Sequence, residues 1–567
     1  MEHLTEKLIK ETEPYHPISG SVGFFRFLNP KNIPPPHRLR LPHKAWAGER
    51  GDSPHPMRRH LPILLMLLGW SIAMPAQMKR SPKRGICENN PHYTEAWTQA
   101  LKPGVSWTYN WAVAPEPDGL HSAEASGIRF APMCWNHQFS EQKLRRYLAA
   151  HPETELLLGY NEPNFTSGDG GSNITPAIAA RYWPKVEQIA EDYGLRLVSP
   201  AMNFGYQKLT DGKVWGLDEW LGAFIEEYRK LNDNRDPRMD YIALHTYMNW
   251  ASSVRWFVDE YLYASDRDQR LRDYFARNGR KQIFLTEFSA GEGDKDGFTT
   301  TEDSQIDQMV QKVQILEQSD NVAGYAWFMG IGGSFTNSFP YWHVFAGSDA
   351  NLQFTELGRI YAHLSAFDKT CYWKPGQLIP AKDYIDMADC KLRHNTDSES
   401  EQQIELSEFQ QYRNWEQKVI TPYVEYQINV GTRKMYTLSM RLCNESGTTI
   451  EFLLDGRKLV SRSLPSTKGQ WATVTTSLML TPGLHRLRLN NVKQAPNRMN
   501  WLRIEGTEDD AVEDPASAVF SPLAPETQSE ALPCYDLSGR RITASPGRRI
   551  TASPGRRIVI QGGKKVY

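Results

Sequence analysis

Two glutamates have the type and placing to do chemistry in this chain: Glu162 and Glu287, 125 positions apart. Each closes a short apolar run, the first within Gly159-Tyr160-Asn161-Glu162-Pro163, the second within Phe284-Leu285-Thr286-Glu287. Runs of this length read as buried parallel strands, where an acid at the C-terminal end is expensive unless it is used. In a (β/α)8 barrel those strand ends form the floor of the active site. Two carboxyl groups there suit opening of a glycosidic bond, one protonating the leaving oxygen and one attacking or activating water. Taken singly, either acid reads as an ion-pair partner. Taken together, with Asn161 and Pro163 beside the first, they point to catalysis.

The elements that must position them follow from the periodicity. Eight strand-like runs lie at 83–88, 105–111, 128–135, 155–160, 195–201, 241–247, 282–287 and 322–328. Amphipathic stretches at 140–150, 176–193, 217–231, 266–278 and 301–318 separate most of them. Strand–helix alternation of this kind predicts a (β/α)8 TIM barrel over 80–370, with Glu162 after the fourth strand and Glu287 after the seventh. From about 383 the pattern changes to short alternating strands at 424–430, 435–442, 450–454, 471–474 and 485–489. That pattern predicts an antiparallel β-sandwich over 378–506, making the chain multidomain. Residues 507–533, rich in Pro, Ser, Glu and Asp, read as a linker. The tail, 534–567, holds a tandem repeat in which residues 540–547 recur as 548–555, too short a unit for a solenoid.

Lys plus Arg (65) nearly balance Asp plus Glu (66), which argues against nucleic acid or another polyanion as partner. The 17 Trp and 25 Tyr suit the flat faces of sugar rings as well as a large core. Six scattered cysteines form no Cys-x-x-Cys pair, and only Cys371 with Cys390 suggests a bridge. The basic stretch Met57-Arg58-Arg59-His60, the apolar 61–73 and the small residues before Gln77 read as a signal peptide over 57–76, too short to span a bilayer comfortably. Residues 1–56, with 9 of the 36 prolines, read as a disordered or misassigned extension before a true start at Met57. The expected location is therefore outside the cell or on its surface.

The first half, about 83–367, resembles the Asl1-like glycoside hydrolases of family 128, β-1,3-glucanases on a (β/α)8 barrel. The resemblance is carried by Lys83-Arg84-Gly85, the run from Trp107 to Trp111, Pro132-Met133, the run from Leu158 to Pro163, His245-Thr246-Tyr247 and Leu285-Thr286-Glu287. It implies that Glu162 is the general acid/base and Glu287 the nucleophile of a retaining endo-β-1,3-glucanase. On the residues' own chemistry, burial behind Tyr160 and Pro163 would raise the Glu162 pKa, Asn161 would meet the sugar 2-OH, and Tyr247 would hold Glu287 ionised. His245 sits beside them as a substrate-binding candidate. Trp111, Trp135, Trp250 and Trp327, at or past strand ends, are candidates to stack on glucosyl units.

The sandwich resembles carbohydrate-binding module family 6 in Ile379-Pro380-Ala381-Lys382-Asp383-Tyr384, in 423–430, 436–442 and 483–489, and in Met499-Asn500-Trp501. Lys382 stands where that family carries an acidic residue, often a calcium ligand. Tyr412, Trp415, Trp471 and Asn500 are the candidate ligand contacts. The tail, in Cys534-Tyr535-Asp536-Leu537-Ser538-Gly539 and 558–565, resembles the sorting domain of type IX secretion substrates in Bacteroidetes, implying that secretion machinery as a partner. No His/Cys/Asp cluster has metal-ligand spacing, so no metal or other cofactor is expected. Two further readings fit the same residues: a retaining glycosidase acting on xylan or another β-glycan, and a surface glycan-binding protein without turnover.

Overall fold

The computed structural model describes residues 78–88, 95–115, 127–331, 341–347 and 351–511, together with four short strands between 534 and 566. The extension, the predicted signal peptide and most of the linker and tail lie outside the described residues. The chain divides into two compact units, one reaching Asp368 and including Leu392–His394, the other formed by Lys369–Lys391 and the residues from Asn395 onward.

The first unit is built on parallel strands. They are β1 (Arg84–Cys87), β2 (Trp107–Tyr109), β3 (Arg129–Phe130), β4 (Leu156–Leu157), β5 (Arg196–Leu197), β6 (Met202–Asn203), β7 (Ile242–Thr246), β8 (Ile283–Phe288) and β9 (Val322–Phe328). Seven form one sheet in the order β3-β2-β1-β9-β8-β7-β6, and β4 with β5 makes a separate pair. A continuous closed ladder is therefore not found. The physical reason is local: Pro132 and Pro200 interrupt the third and fifth runs, and proline donates no ladder hydrogen bond. Single parallel bridges remain at Met133 with Leu158, Asn161 with Ala201, and Val198 with Tyr241. Next to Pro200, Ser199 supplies a substitute acceptor, its Oγ taking the Ala243 N–H at 2.9 Å. The backbones of the fourth and fifth runs come so close that a Cβ on Gly159 would lie 2.7 Å from the Ser199 carbonyl.

One buried cluster draws side chains from all eight runs: Cys87, Trp107 and Tyr109, Ala131 and Met133, Leu158, Val198 and Ala201, Ala243, Phe284, and Ala326 with Phe328. Helices flank the strands close to the expected positions: α1 (Glu95–Leu101), α2 (Glu141–Ala150), α3 (Pro176–Asp192), α4 (Leu217–Leu231), α5 (Ala251–Asp259), α6 (Gln269–Asn278), α7 (Glu302–Gln318) and α8 (Glu356–His363). Side-chain caps open several of them, with Thr175 taking the Ile178 N–H ahead of Pro176 and Thr301 taking the Ser304 N–H.

The second unit is β-rich. A five-stranded antiparallel sheet contains Tyr423–Val430, Gly483–Asn491, Thr448–Leu454 and Arg457–Leu464; a six-stranded sheet is centred on Asn497–Ile504 and Lys434–Asn444. Thr448–Leu454 alternates buried with half-buried residues, the pattern of a strand with one face on a core. The strand Arg457–Leu464 is missed by the pattern, because it is a polar edge strand exposed on both faces. Cys371 and Cys390 are separate thiols, so the bridge suggested by sequence is not formed. Residues on both sides of the expected 378–506 also belong to this unit. The Gln427 amide donates to the Lys369 and Cys371 carbonyls, and Asp510 accepts from Lys434 Nζ at 2.6 Å. The segment 507–511 is therefore packed structure, not the start of a linker. Among the described residues no helix is long and apolar enough to cross a membrane.

Candidate active site

The strand ends bring Glu162 and Glu287 together. Glu162 follows the fourth run with φ of 40°, a left-handed conformation unusual for a residue with a Cβ. Its N–H is tied to the Ala201 carbonyl at 2.9 Å, so the neighbouring strand fixes the turn that aims the side chain inward. Glu162 Oε1 accepts from Asn203 Nδ2 at 2.9 Å and lies 2.6 Å from His245 Nδ1. The other ring nitrogen of His245 meets Thr286 Oγ1 at 2.9 Å.

Glu287 sits in β8 under three donors. Trp111 Nε1 donates to Oε1 at 2.7 Å, the Tyr109 hydroxyl to the same oxygen at 3.2 Å, and the Tyr247 hydroxyl to Oε2. His245 Nδ1 is 3.4 Å from Glu287 Oε2, so the imidazole edge looks at both acids. One oxygen of each carboxylate and one nitrogen of His245 all lie within 4.8 Å of one another. Glu162 and Glu287 are 5% and 3% exposed, and His245 is fully buried.

The two acids are held differently. Burial pushes the Glu162 carboxyl above the usual carboxylate range; the His245 and Asn203 donors restrain that rise and the charge of Glu287 adds to it. Burial alone would lower the His245 pKa, but Glu287 and Glu162 outweigh it and leave it raised. Glu287 accepts hydrogen bonds on both oxygens. The rise favours the protonated form of Glu162. The same three residues have the spacing of a cation site, although their coordinating atoms bond to each other here.

The other candidates divide. Asn161 donates through Nδ2 to the Gly170 carbonyl at 3.2 Å, while its buried Oδ1 has no partner. Trp111 is half-buried, with its N–H on Glu287. Trp135 is half-buried, and its carbonyl receives the Asn161 N–H at 2.9 Å. Trp250 caps α5 and is 37% exposed, edge-on to Phe298. Trp327 does not line a cleft. It is fully buried against Phe288, its N–H on the Trp342 carbonyl at 2.8 Å, because in β9 it points away from the acids into the core.

Sequence reasoning missed Asn203, Tyr109, Thr286 and Trp342. Tyr109 and Thr286 lie inside motifs already singled out; Asn203 directly follows the fifth run and carried no separate signal. Trp342 stacks on Tyr247 with ring centres 5.8 Å apart.

In the second unit, Trp415 is 87% exposed and Tyr412 partly so, with its hydroxyl on Asp389 at 2.9 Å. Trp471 is half-buried, with the Arg498 guanidinium 5.2 Å over its ring. Asn500 is corrected as a ligand contact: it is fully buried, bonded to Ser400 and Asn395 at 2.8 and 2.6 Å. A cavity of about 260 Å³ opens elsewhere in this unit, lined in part by Glu408, Gln410, Asn444, Asn497 and Arg498. Gln410 Oε1 and Asn497 Nδ2 are buried there without partners.

Residues 85–361 match the family described as the glycosyl hydrolase catalytic core. Among solved structures, an endo-β-1,3-glucanase of GH128 subgroup II from Pseudomonas viridiflava is 32% identical, the match covering 50% of this chain and 98% of that one, with a TM-score of 0.41. A second from Sorangium cellulosum is 26% identical over 49% of this chain and 97% of its own, with a TM-score of 0.38. No curated protein matches.

Proposed function

Because residues 85–361 are a glycosyl hydrolase catalytic core, we propose that this chain is a family 128 endo-β-1,3-glucanase working by retaining double displacement, on a (β/α)8 barrel. The observation that carries the reading is the facing pair Glu162 and Glu287, with carboxylate oxygens within 4.8 Å across His245. Retention needs carboxyl groups roughly 5–5.5 Å apart, whereas an inverting pair stands off by about 6.5–9.5 Å to admit water. The barrel reading is supported by the shared cluster of all eight runs and by the single bridges on both sides of the β4–β5 pair.

In this mechanism Glu287 attacks the anomeric carbon while Glu162 gives its proton to the departing glycosidic oxygen. Loss of that proton leaves a buried carboxylate, and His245 and Asn203 lower the cost of that charge. The ionised Glu162 then takes a proton from water, whose oxygen displaces Glu287 from the sugar. Trp111, Tyr109 and Tyr247 orient the nucleophile throughout. No step calls on a metal ion.

The second unit fits a glycan-binding module. Support comes from the exposed Trp415 and Tyr412 and from the cavity lined by Gln410 and Asn497, whose Oε1 and Nδ2 have no partner. Secretion through the leader at 57–76, and export by type IX machinery through the tail, rest on the sequence alone. Proton NMR of laminarin hydrolysis tests the catalytic reading: the β-anomer should appear first, and Glu287→Gln should abolish turnover while keeping the fold. Glu162→Gln should leave activated aryl glycosides able to form the glycosyl-enzyme, with azide restoring turnover. Initial release of the α-anomer would replace retention by inversion. A preference for xylan over laminarin would move the substrate to another β-glycan.

A further inference from the structure

Helix α7 carries a polar stripe that the chemistry above does not use. Gln305, Gln308 and Lys312 are spaced by three and four residues, so they share one face of the helix. All are buried, Gln305 and Lys312 completely. Each bonds to backbone that follows β7 or β8, in their loops or at the start of α5. Lys312 Nζ donates to the Met248 carbonyl at 2.7 Å and to the Ser289 carbonyl at 2.9 Å. Gln305 Nε2 donates to the Ala290 carbonyl at 2.6 Å, and Gln308 Oε1 accepts the Ala251 N–H at 2.8 Å.

Those loops carry the nucleophile and its partner. Met248 follows Tyr247 directly, and Ser289 lies two residues past Glu287. The loops are also tied to each other: the Gly291 N–H donates to the Tyr247 carbonyl at 2.7 Å, and the Asn249 N–H to Glu292 at 2.9 Å. A Cβ on Gly291 would sit 2.4 Å from the Trp342 ring, so the contact tolerates glycine alone. Among the described residues no carboxylate reaches Lys312 as an ion pair, and an ammonium buried that way is costly compared with an apolar residue. What it gains is a bridge between two loops that no apolar side chain can make.

We propose that Lys312, flanked by Gln305 and Gln308, is a positioning residue for the reaction. It ties the loop behind Tyr247 to the loop behind Glu287, so that hydroxyl and carboxylate keep their register during attack. The inference rests on Glu287 being the nucleophile. Misplacement of a reacting group by about 1 Å can lower a rate ~100-fold, so the readout is kcat, with KM left nearly alone.

The experiment uses the full chain with laminarin, together with the rate at which a 2-fluoro-glucoside inactivator labels the enzyme. Lys312→Met should lower kcat and the labelling rate by about 10–100-fold with KM little changed, and Gln305→Leu should do so more weakly. Val313→Ala, on the same helix but touching neither loop in this way, should lower the melting temperature and keep kcat. Wild-type kcat in Lys312→Met overturns the proposal. So does a loss of kcat in Val313→Ala that matches Lys312→Met at equal stability, which would make the stripe purely structural. Should Lys312→Met fail to fold, Gln305→Leu and Gln308→Leu carry the test, and unchanged kcat in both overturns it. A Glu287→Gln variant that still turns over laminarin would remove the nucleophile assignment itself. An inactive Glu287→Gln beside a normal Lys312→Met removes only the positioning role.

Discussion

His245 tempers the rise that burial imposes on Glu162. Its Nδ1 lies nearer Glu162 than Glu287, and its hydrogen bond and charge hold the Glu162 carboxyl below where burial alone would place it. Removing the ring should therefore move the basic limb of the kcat/KM profile to higher pH. The acid catalyst would stay protonated further up the scale, although kcat itself falls. Residual activity of His245→Leu measured across pH checks this, and a basic limb shifted downward would contradict it. Tyr247→Phe removes one donor from Glu287 and keeps the ring stacked on Trp342. The expected loss in kcat is about 10–100-fold, in line with ~1.5–3 kcal/mol for a hydrogen bond to a charged group. Much of the site was legible at this scale, since a strand-end acid in Asn161-Glu162-Pro163 carries its own chemical argument. Asn203 was not legible, because a lone asparagine past a strand end has no pattern until the neighbouring strand places it against Glu162.

At the level of elements, five helices and the long strands β7, β8 and β9 match their periodicity closely. The third, fourth and fifth runs do not form ladders of the expected length. Alternation and hydropathy register which residues are buried, but the hydrogen bonds that Pro132 and Pro200 cannot donate decide where a ladder continues. Trp327 shows the same gap between composition and facing. It lies in a strand whose side chains alternate, and the frame of that alternation puts it in the core. Trp327→Ala should destabilise by roughly 3–5 kcal/mol, as large-to-small core substitutions do, and leave KM for laminarin unchanged; thermal unfolding and kinetics separate the two effects. Helix α7 yields a further stability prediction. Burial pushes the Lys312 ammonium down to about 7 from its ordinary 10.5, with Glu292 opposing the shift. Its folded-state pKa is depressed, so the burden of a buried charge is full below pH 7 and is relieved as pH rises toward 10.5. Wild-type stability should rise relative to Lys312→Met across that window, measured by denaturant unfolding at each pH. The neutral amine still has two N–H groups for the two carbonyls, so the loops remain tied.

For the whole molecule, the change from strand–helix alternation to alternating strands near 383 was legible, because the two patterns have different periods. The edges of the second unit were not. Residues 369–377 and 507–511 look like connecting chain, yet Trp373 is buried and pairs with Ile428, and the Gly376 N–H donates to the Ile504 carbonyl at 2.8 Å. Residues 369–511 expressed alone should therefore unfold cooperatively at a higher temperature than residues 378–506, and equal melting temperatures would contradict that boundary. The indole of Trp111 has a consequence for how the intact enzyme can be watched. Its N–H lies 2.7 Å from an oxygen of Glu287, the carboxyl group that the proposed double displacement would convert to a glycosyl ester. Indole emission responds to a change of charge at that range, so under the proposed mechanism one of the 17 tryptophans would become an optical gauge of covalent occupancy. Stopped-flow fluorescence of the native chain against Trp111→Phe would then time the rise and decay of the intermediate on natural, unlabelled glucan.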